Sequence, residues 1–253
     1  VNLEDKAISP IGETITLPEE ASKIKLAVCS CSNFQAGLFN VYDAMANSNA
    51  DIIVHLGDYF YEYEAGGYGA TEENAFLNRG HQPATEILSL NDYRTRYKQY
   101  KSDKSLQLAH QKKPFIGVWD DHEITNDTYK DGAENHTEET EGSFEVRRKY
   151  ALQAYSEFLP FSRLDPNNNS LIYRDLNLGN LVNLLMLDTR VIGRDKQLNI
   201  SDYFTATGFD NTSFTSDLSN PTRSLLGVTQ RNWLTEKLTN NTAKWQVLGQ
   251  QIL

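Results

Sequence analysis

The stretch "DIIVHLGDYFYEY", residues 51–63, decides the fold. Ile52, Ile53, Val54 and Leu56 make a short apolar run that halts at Gly57-Asp58, and tyrosines follow at 59, 61 and 63. Such a run, bounded by turn-forming residues, reads as a buried strand. Two readings of its end stay open. Asp58 and Tyr61, three apart, can come to one side and hold a cation between a carboxylate and a phenol. Alternatively, Asp58 forms a turn and the tyrosines alternate along a strand.

On the N-terminal side, "KIKLAV" (23–28) reads as a core strand and "GLFNVYDAMA" (37–46) repeats its apolar residues at helical spacing. Strand, helix, strand in that order predicts a right-handed crossover and a parallel pair. Residues 1–22 form a polar lead-in whose "ETITL" alternation suits an edge strand. On the C-terminal side, the glycine-rich residues 64–88 predict a long loop serving as a lid or rim, and "NDYRTRYKQY" (91–100) puts Tyr93, Tyr97 and Tyr100 on one helical face suited to core packing. A third parallel strand is expected in "KPFIGVWDDHE" (113–123), and a helix N-capped by Ser143 over 143–159. A hairpin turning at Gly179-Asn180, a polar loop over 191–228, a helix capped by Thr229 and a last strand at 243–253 complete the pattern. Strands that end in polar residues bring those residues together at the carboxyl edge of a sheet, where α/β folds place their sites.

Composition bounds the chemistry. Twenty-four basic against 34 acidic residues give a net charge of −10, the wrong sign for a general polyanion binder. An anionic substrate would need metal ions to offset the repulsion. No run of about 18 apolar residues is present to span a bilayer. Cys29 and Cys31 are too close in sequence for good disulfide geometry, so at least one free thiol is expected.

Four strand ends offer Cys31, Asp58 with Tyr61, Asp121-His122 with Asn126, and Asp188 with Arg190. These are metal-ligand types. In "WDDHE" (119–123) two adjacent carboxylates repel unless a cation or strong donors neutralise them. His122 is a ligand, a proton donor or a structural histidine; Asp188 and Arg190 form either a salt bridge or a phosphate clamp; Cys31 is either a ligand or an inert thiol.

"CSCSNFQAGLFNVYDAMANSNADIIVHLGDYFYEY" (29–63), "FIGVWDDHEITND" (115–127), "LLMLDTR" (184–190) and "GVTQRNWLTEKLTNNTAKWQVLGQQ" (227–251) resemble, in order and spacing, the PhoD-type alkaline phosphatases and phosphodiesterases among the metallophosphoesterases. The resemblance covers about residues 24–253. It implies an α/β (α+β) fold, a four-layer αββα sandwich of two sheets flanked by helices, with 1–22 as lead-in and 23–253 as catalytic domain. It implies that Cys31, Asp58 and Tyr61 ligate Fe3+, and that Asp58 bridges to Ca2+ or another divalent ion also touched by Asp121 or Asn126. His122 then lies beside the leaving oxygen, and Arg190 is carried over as a phosphate anchor. Hydrolysis of phosphate monoesters, diesters or both by a secreted, periplasmic or cell-surface enzyme follows from the same resemblance.

In that family a later G-D-x-H-type segment supplies further ligands, and none of the histidines here (His55, His81, His110, His122, His136) lies in a G-D-x-H context. The expectation is a catalytic domain truncated at its C-terminus, with the remainder possible on a second chain. The alternatives are a non-catalytic scaffold holding at most one ion, and an unrelated metal oxygenase, which lacks its usual facial ligand set here.

Overall fold

The computed structural model describes residues 9–159, 161, 167–168 and 170–252. The start of the lead-in, residues 1–8, and Leu253 at the end of the expected last strand lie outside them. Three short parallel strands, β1 (Leu26–Cys29), β2 (Ile52–His55) and β3 (Phe115–Gly117), form one sheet in the order β1-β2-β3. All four residues of β2 are buried. Three of them are β-branched and suit a strand covered on both faces. The helix α1 (Asn40–Asn47) makes the crossover from β1 to β2.

A second sheet holds β4 (Arg174–Leu178), β5 (Val182–Met186) and β8 (Trp245–Gly249), antiparallel then parallel. The hairpin turns through Gly179, whose φ of 65° lies in the left-handed region open to glycine. Both sheets contribute to one apolar core, Ile52, Ile53 and Val54 from the first and Leu184 and Met186 from the second. Arg174 of β4 donates to the carbonyl of Gly117 on β3 at 2.8 Å and ties the sheets together.

Helices pack in pairs, α1 with α3 (Lys104–Lys112) and α2 (Leu90–Lys101) with α5 (Phe144–Phe158). Tyr93, Tyr97 and Tyr100 of α2 are fully buried core residues, each stabilising by about 1.5–3 kcal/mol. Arg96, on the same helix and also buried, donates to the carbonyls of Tyr61, Tyr63, Gln82 and Pro83. The long 64–88 segment is thereby tied to α2 at both of its ends.

Several expected boundaries move. β1 lies at 26–29 rather than 23–28, and "ETITL" forms no strand; its first residue meets the end of α3, Glu13 N donating to Gln111 O at 2.6 Å. Helix α3, absent from the sequence reading, is capped by the Asp103 carboxylate, which accepts from Ser105 N and Leu106 N. Ser143 stands at the N-cap of α5 but makes no side-chain cap bond, and the Glu138 carboxylate accepts from Phe144 N instead. The 191–228 loop contains a hairpin of β6 (Phe204–Thr205) and β7 (Gly208–Phe209) and the helix α6 (Asn211–Leu218). Helix α7 (Gly227–Asn240) starts before Thr229, which sits in its first turn. A four-residue helix, α4 (Glu138–Glu141), precedes α5.

Candidate metal centre

The first sheet presents its three carboxyl ends side by side. Cys31 N donates to Gly57 O at 3.1 Å and Ser32 N to Asp58 O at 2.8 Å, which ties the turn after β1 to the turn after β2. Gly57 has φ 108°, and a Cβ there would stand 2.3 Å from Asp120 N. The glycine is thus required because the backbone after β3 crosses it. Cys31 (φ 61°), Asp58 (φ 54°) and Asp127 (φ 52°) are left-handed non-glycine residues at this edge. Each such residue costs about 1–3 kcal/mol, and clusters of them mark functional turns.

Glu123 fixes this geometry. Fully buried, it accepts from Asp58 N at 3.1 Å, Tyr59 N at 2.6 Å and Asp120 N at 2.9 Å. Two strand ends are thereby held by one side chain. Glu62, equally buried, accepts from His122 Nδ1 at 2.7 Å, Asn126 N at 2.7 Å and Thr125 Oγ1 at 3.2 Å. Sequence reasoning gave neither glutamate a role. The available signal was an acidic residue inside a stretch otherwise read as buried.

Asp58, Asp121 and His122 are all buried, and one ligand atom from each lies within 4.8 Å of the others. Tyr61 donates its hydroxyl to Asp58 Oδ2 at 3.1 Å, and its ring lies 4.1 Å from that of His122, tilted by 35°. The Cys31 thiol faces Tyr61 and Asp58 from an otherwise exposed position. Asn126 approaches through its backbone, while its side-chain amide donates to Glu134 at 2.7 Å. Asp188 lies apart: its carboxylate accepts from Arg190 N and Val191 N, shaping the turn after β5, and Gln230 bonds its backbone. Arg190 spans toward the site by its side chain, with Nε 2.6 Å from Asp120, Nη2 3.5 Å from Asp121 and Nη1 3.4 Å from Asp127.

Burial pushes the Asp58 carboxyl up to about 7, against the opposing pull of His122. Burial also raises Asp120 and, far more, Glu123, each aggravated by a neighbouring carboxylate. Burial alone would lower His122, but the hydrogen bond and charge of Glu62 outweigh it and hold the ring at about 9. Burial raises the Cys31 thiol and, together with Asp58, the Tyr61 phenol. Asp58 Oδ1 is buried with no hydrogen-bond partner. Such an atom costs about 1–3 kcal/mol unless something binds it. Crowded carboxylates, an orphaned carboxylate oxygen, a phenol and a thiol together fit a multivalent cation.

Comparison with known proteins agrees with this geometry. A family model described as PhoD-like phosphatase matches residues 26–253. The alkaline phosphatase D of Bacillus subtilis (strain 168) is 39% identical over 251 residues, covering 97% of this chain and 40% of that protein. A solved structure of PhoD superposes with a TM-score of 0.81 at 36% identity, over 97% of this chain and 45% of that one. The chain therefore spans less than half the length of these relatives. On sequence and on fold alike, it belongs to the PhoD-like phosphatase family.

Proposed function

We propose that this chain carries the core of a metal-dependent phosphoric ester hydrolase, acting on monoesters, diesters or both. The observation that carries the reading is the convergence of Asp58, Asp121 and His122 at the ends of β2 and β3 around an unsatisfied Asp58 oxygen. Asp58, Tyr61 and Cys31 would hold one cation, with Fe3+ the choice suited to a phenolate and a thiolate. Asp58 and Asp121, with Asn126 beside them, would hold a second, Ca2+ or another divalent ion. Bound there, such ions polarise a phosphoryl oxygen and make water a nucleophile near neutral pH.

The chain's own groups do the rest. Glu62 takes the Nδ1 proton side of His122 and leaves Nε2–H as the ring's free donor. In-line attack by hydroxide forms the new P–O bond as the ester P–O bond breaks, and the departing alcohol oxygen takes the Nε2 proton. No protein nucleophile or phosphoenzyme is needed. Arg190, engaged by three carboxylates, serves the phosphate by steadying Asp120 and Asp121.

The relatives are longer, so we place the remaining ligands on the further length they possess, in the same or a second chain. A secreted, periplasmic or cell-surface location belongs to the same reading. The test is metal analysis together with hydrolysis of a generic aryl phosphate, on the parent and on Asp58→Asn and Tyr61→Phe. Bound metal and turnover that both fall in the variants support the hydrolase. Metal and activity unchanged in both variants would sink the ligand assignment, and metal without turnover in the parent would favour a scaffold.

A further inference from the structure

Arg194 lies four residues beyond Arg190, and the two guanidiniums are used differently. Arg190 is bound by Asp120, Asp121 and Asp127, whereas among the described residues no carboxylate pairs with Arg194. Its Nε is buried without a hydrogen-bond partner. It stands close to the centre: Gln197, three residues on, donates Nε2 to the carbonyl of Asp127, a carboxylate partner of Arg190, at 3.4 Å, and Arg194 feels repulsion from Arg190 and attraction from Asp127, Asp120 and Asp121. A buried donor left unmade is costly, so this one is poised for an acceptor from outside the chain.

Arg194 forms one wall of a cavity of about 440 Å³ whose other lining includes Arg223, Leu198, Ile200, Phe214 and Leu218. Asp195 also borders it, but its carboxylate is taken by Lys130 at 2.6 Å and by Ser224 N at 2.7 Å. Gln197 completes the wall, and its buried Oε1 has no donor. The cavity thus offers the unpaired Nε of Arg194 and an orphaned acceptor beside apolar side chains, with the guanidinium of Arg223 held on the Lys196 carbonyl at 2.6 Å. A neutral polar ligand leaves the Arg194 charge without a counter-ion, and a purely apolar one leaves both the Arg194 donor and the Gln197 acceptor unpaired. An amphipathic anion answers the guanidinium and the apolar wall together.

Resting on the hydrolase reading of the neighbouring centre, we propose that this cavity holds the alcohol portion of the substrate and selects alcohols that carry a second negative charge beside an apolar body. Arg194 is the specificity-determining residue, binding that charge by a charge-assisted pair, and Arg223, in the same lining, adds to the field.

The test uses phenylphosphonate and 4-carboxyphenylphosphonate, titrated calorimetrically into the 253-residue chain dialysed against ferric and calcium ions. The parent is expected to bind the carboxylated ligand about tenfold tighter, R194Q to reduce that preference below about threefold, and R194K to keep part of it. Equal affinities in the parent, a preference that survives R194Q, equal weakening of both ligands by R194Q, or binding of neither ligand would each overturn the proposal. Phenyl phosphate hydrolysis is measured in parallel. Its absence with the carboxylate preference intact removes the hydrolase reading and leaves the anion site standing.

Discussion

At the residue scale, single side chains answer for several backbone groups at once, which sets large and specific costs for replacing them. Glu62→Ala would strand His122 Nδ1 and Asn126 N in a buried space. A loss of about 3 kcal/mol is expected, read as a lower denaturation midpoint at unchanged slope. Gly57→Ala is expected to be worse. The new methyl meets the Asp120 backbone, which cannot rotate away as a side-chain tip would, and the left-handed φ adds its own strain. Soluble, cooperatively folding Gly57→Ala protein with parent stability would contradict the crossing of these two turns.

At the scale of elements, α2 organises the approach to the centre. Its Arg96 holds four carbonyls of the chain between residues 61 and 83, and the Tyr100 hydroxyl accepts from Phe34 N and Tyr61 N. Arg96→Met keeps most of the apolar stem but leaves those carbonyls unsatisfied. Hydrogen exchange and proteolysis are expected to rise across 61–83 first, with α5 and β2 still protected; uniform loosening of the whole chain would contradict this local role.

The elements also show what the sequence disclosed and what it hid. The strands and the aromatic helix were legible because burial imposes a period on them, and β2 through β5 were found with their order. Asp58, Tyr61, Cys31, Asp121 and His122 could be nominated because they sit where apolar runs stop. Their supports could not. Glu62 and Asp120 act on partners about 60 to 70 positions away, and so does Glu123 on Asp58 and Tyr59, so no local spacing marks these roles. Arg194 was equally silent, because a lone arginine in a polar stretch gives no hint of being unpaired. Helix α3 was missed since its apolar face is only Leu106 and Ala109, and α6 since it buries no residue.

Across the whole molecule, buried ionisable groups oppose one another as pH changes. Burial holds His55 at about 3, His81 at about 4 and His110 at about 2, all below the 6.5 of an exposed ring. The unfolded chain therefore takes up protons below pH 6.5 that the folded chain refuses. Stability is lost as pH falls from about 6.5 toward 4, by about 2 kcal/mol per histidine at pH 5. Asp58, held up to about 7, and Asp188, held up to about 6, act in the other direction, since the folded state keeps protons that the unfolded state has released. His122, held up to about 9, and the raised Glu123 act in that same direction, their stabilisation being lost as pH rises. Metal-free protein is thus expected to be most stable on the acid side of neutrality, measured as the denaturation midpoint from pH 4 to 9. Added Fe3+ or Ca2+ must displace the Asp58 proton, so the stabilisation it brings is expected to grow as pH rises through about 7. A midpoint shift independent of pH would place the cation elsewhere.

Glu123 carries an implication for anyone transplanting this centre. Its three backbone bonds make the two turns a single machined part, so copying only the groups that would touch an ion onto another sheet would reproduce the inventory and lose the tolerances. A graft that carries the glutamate, together with the glycine the neighbouring turn crosses, is the smallest portable version of this site.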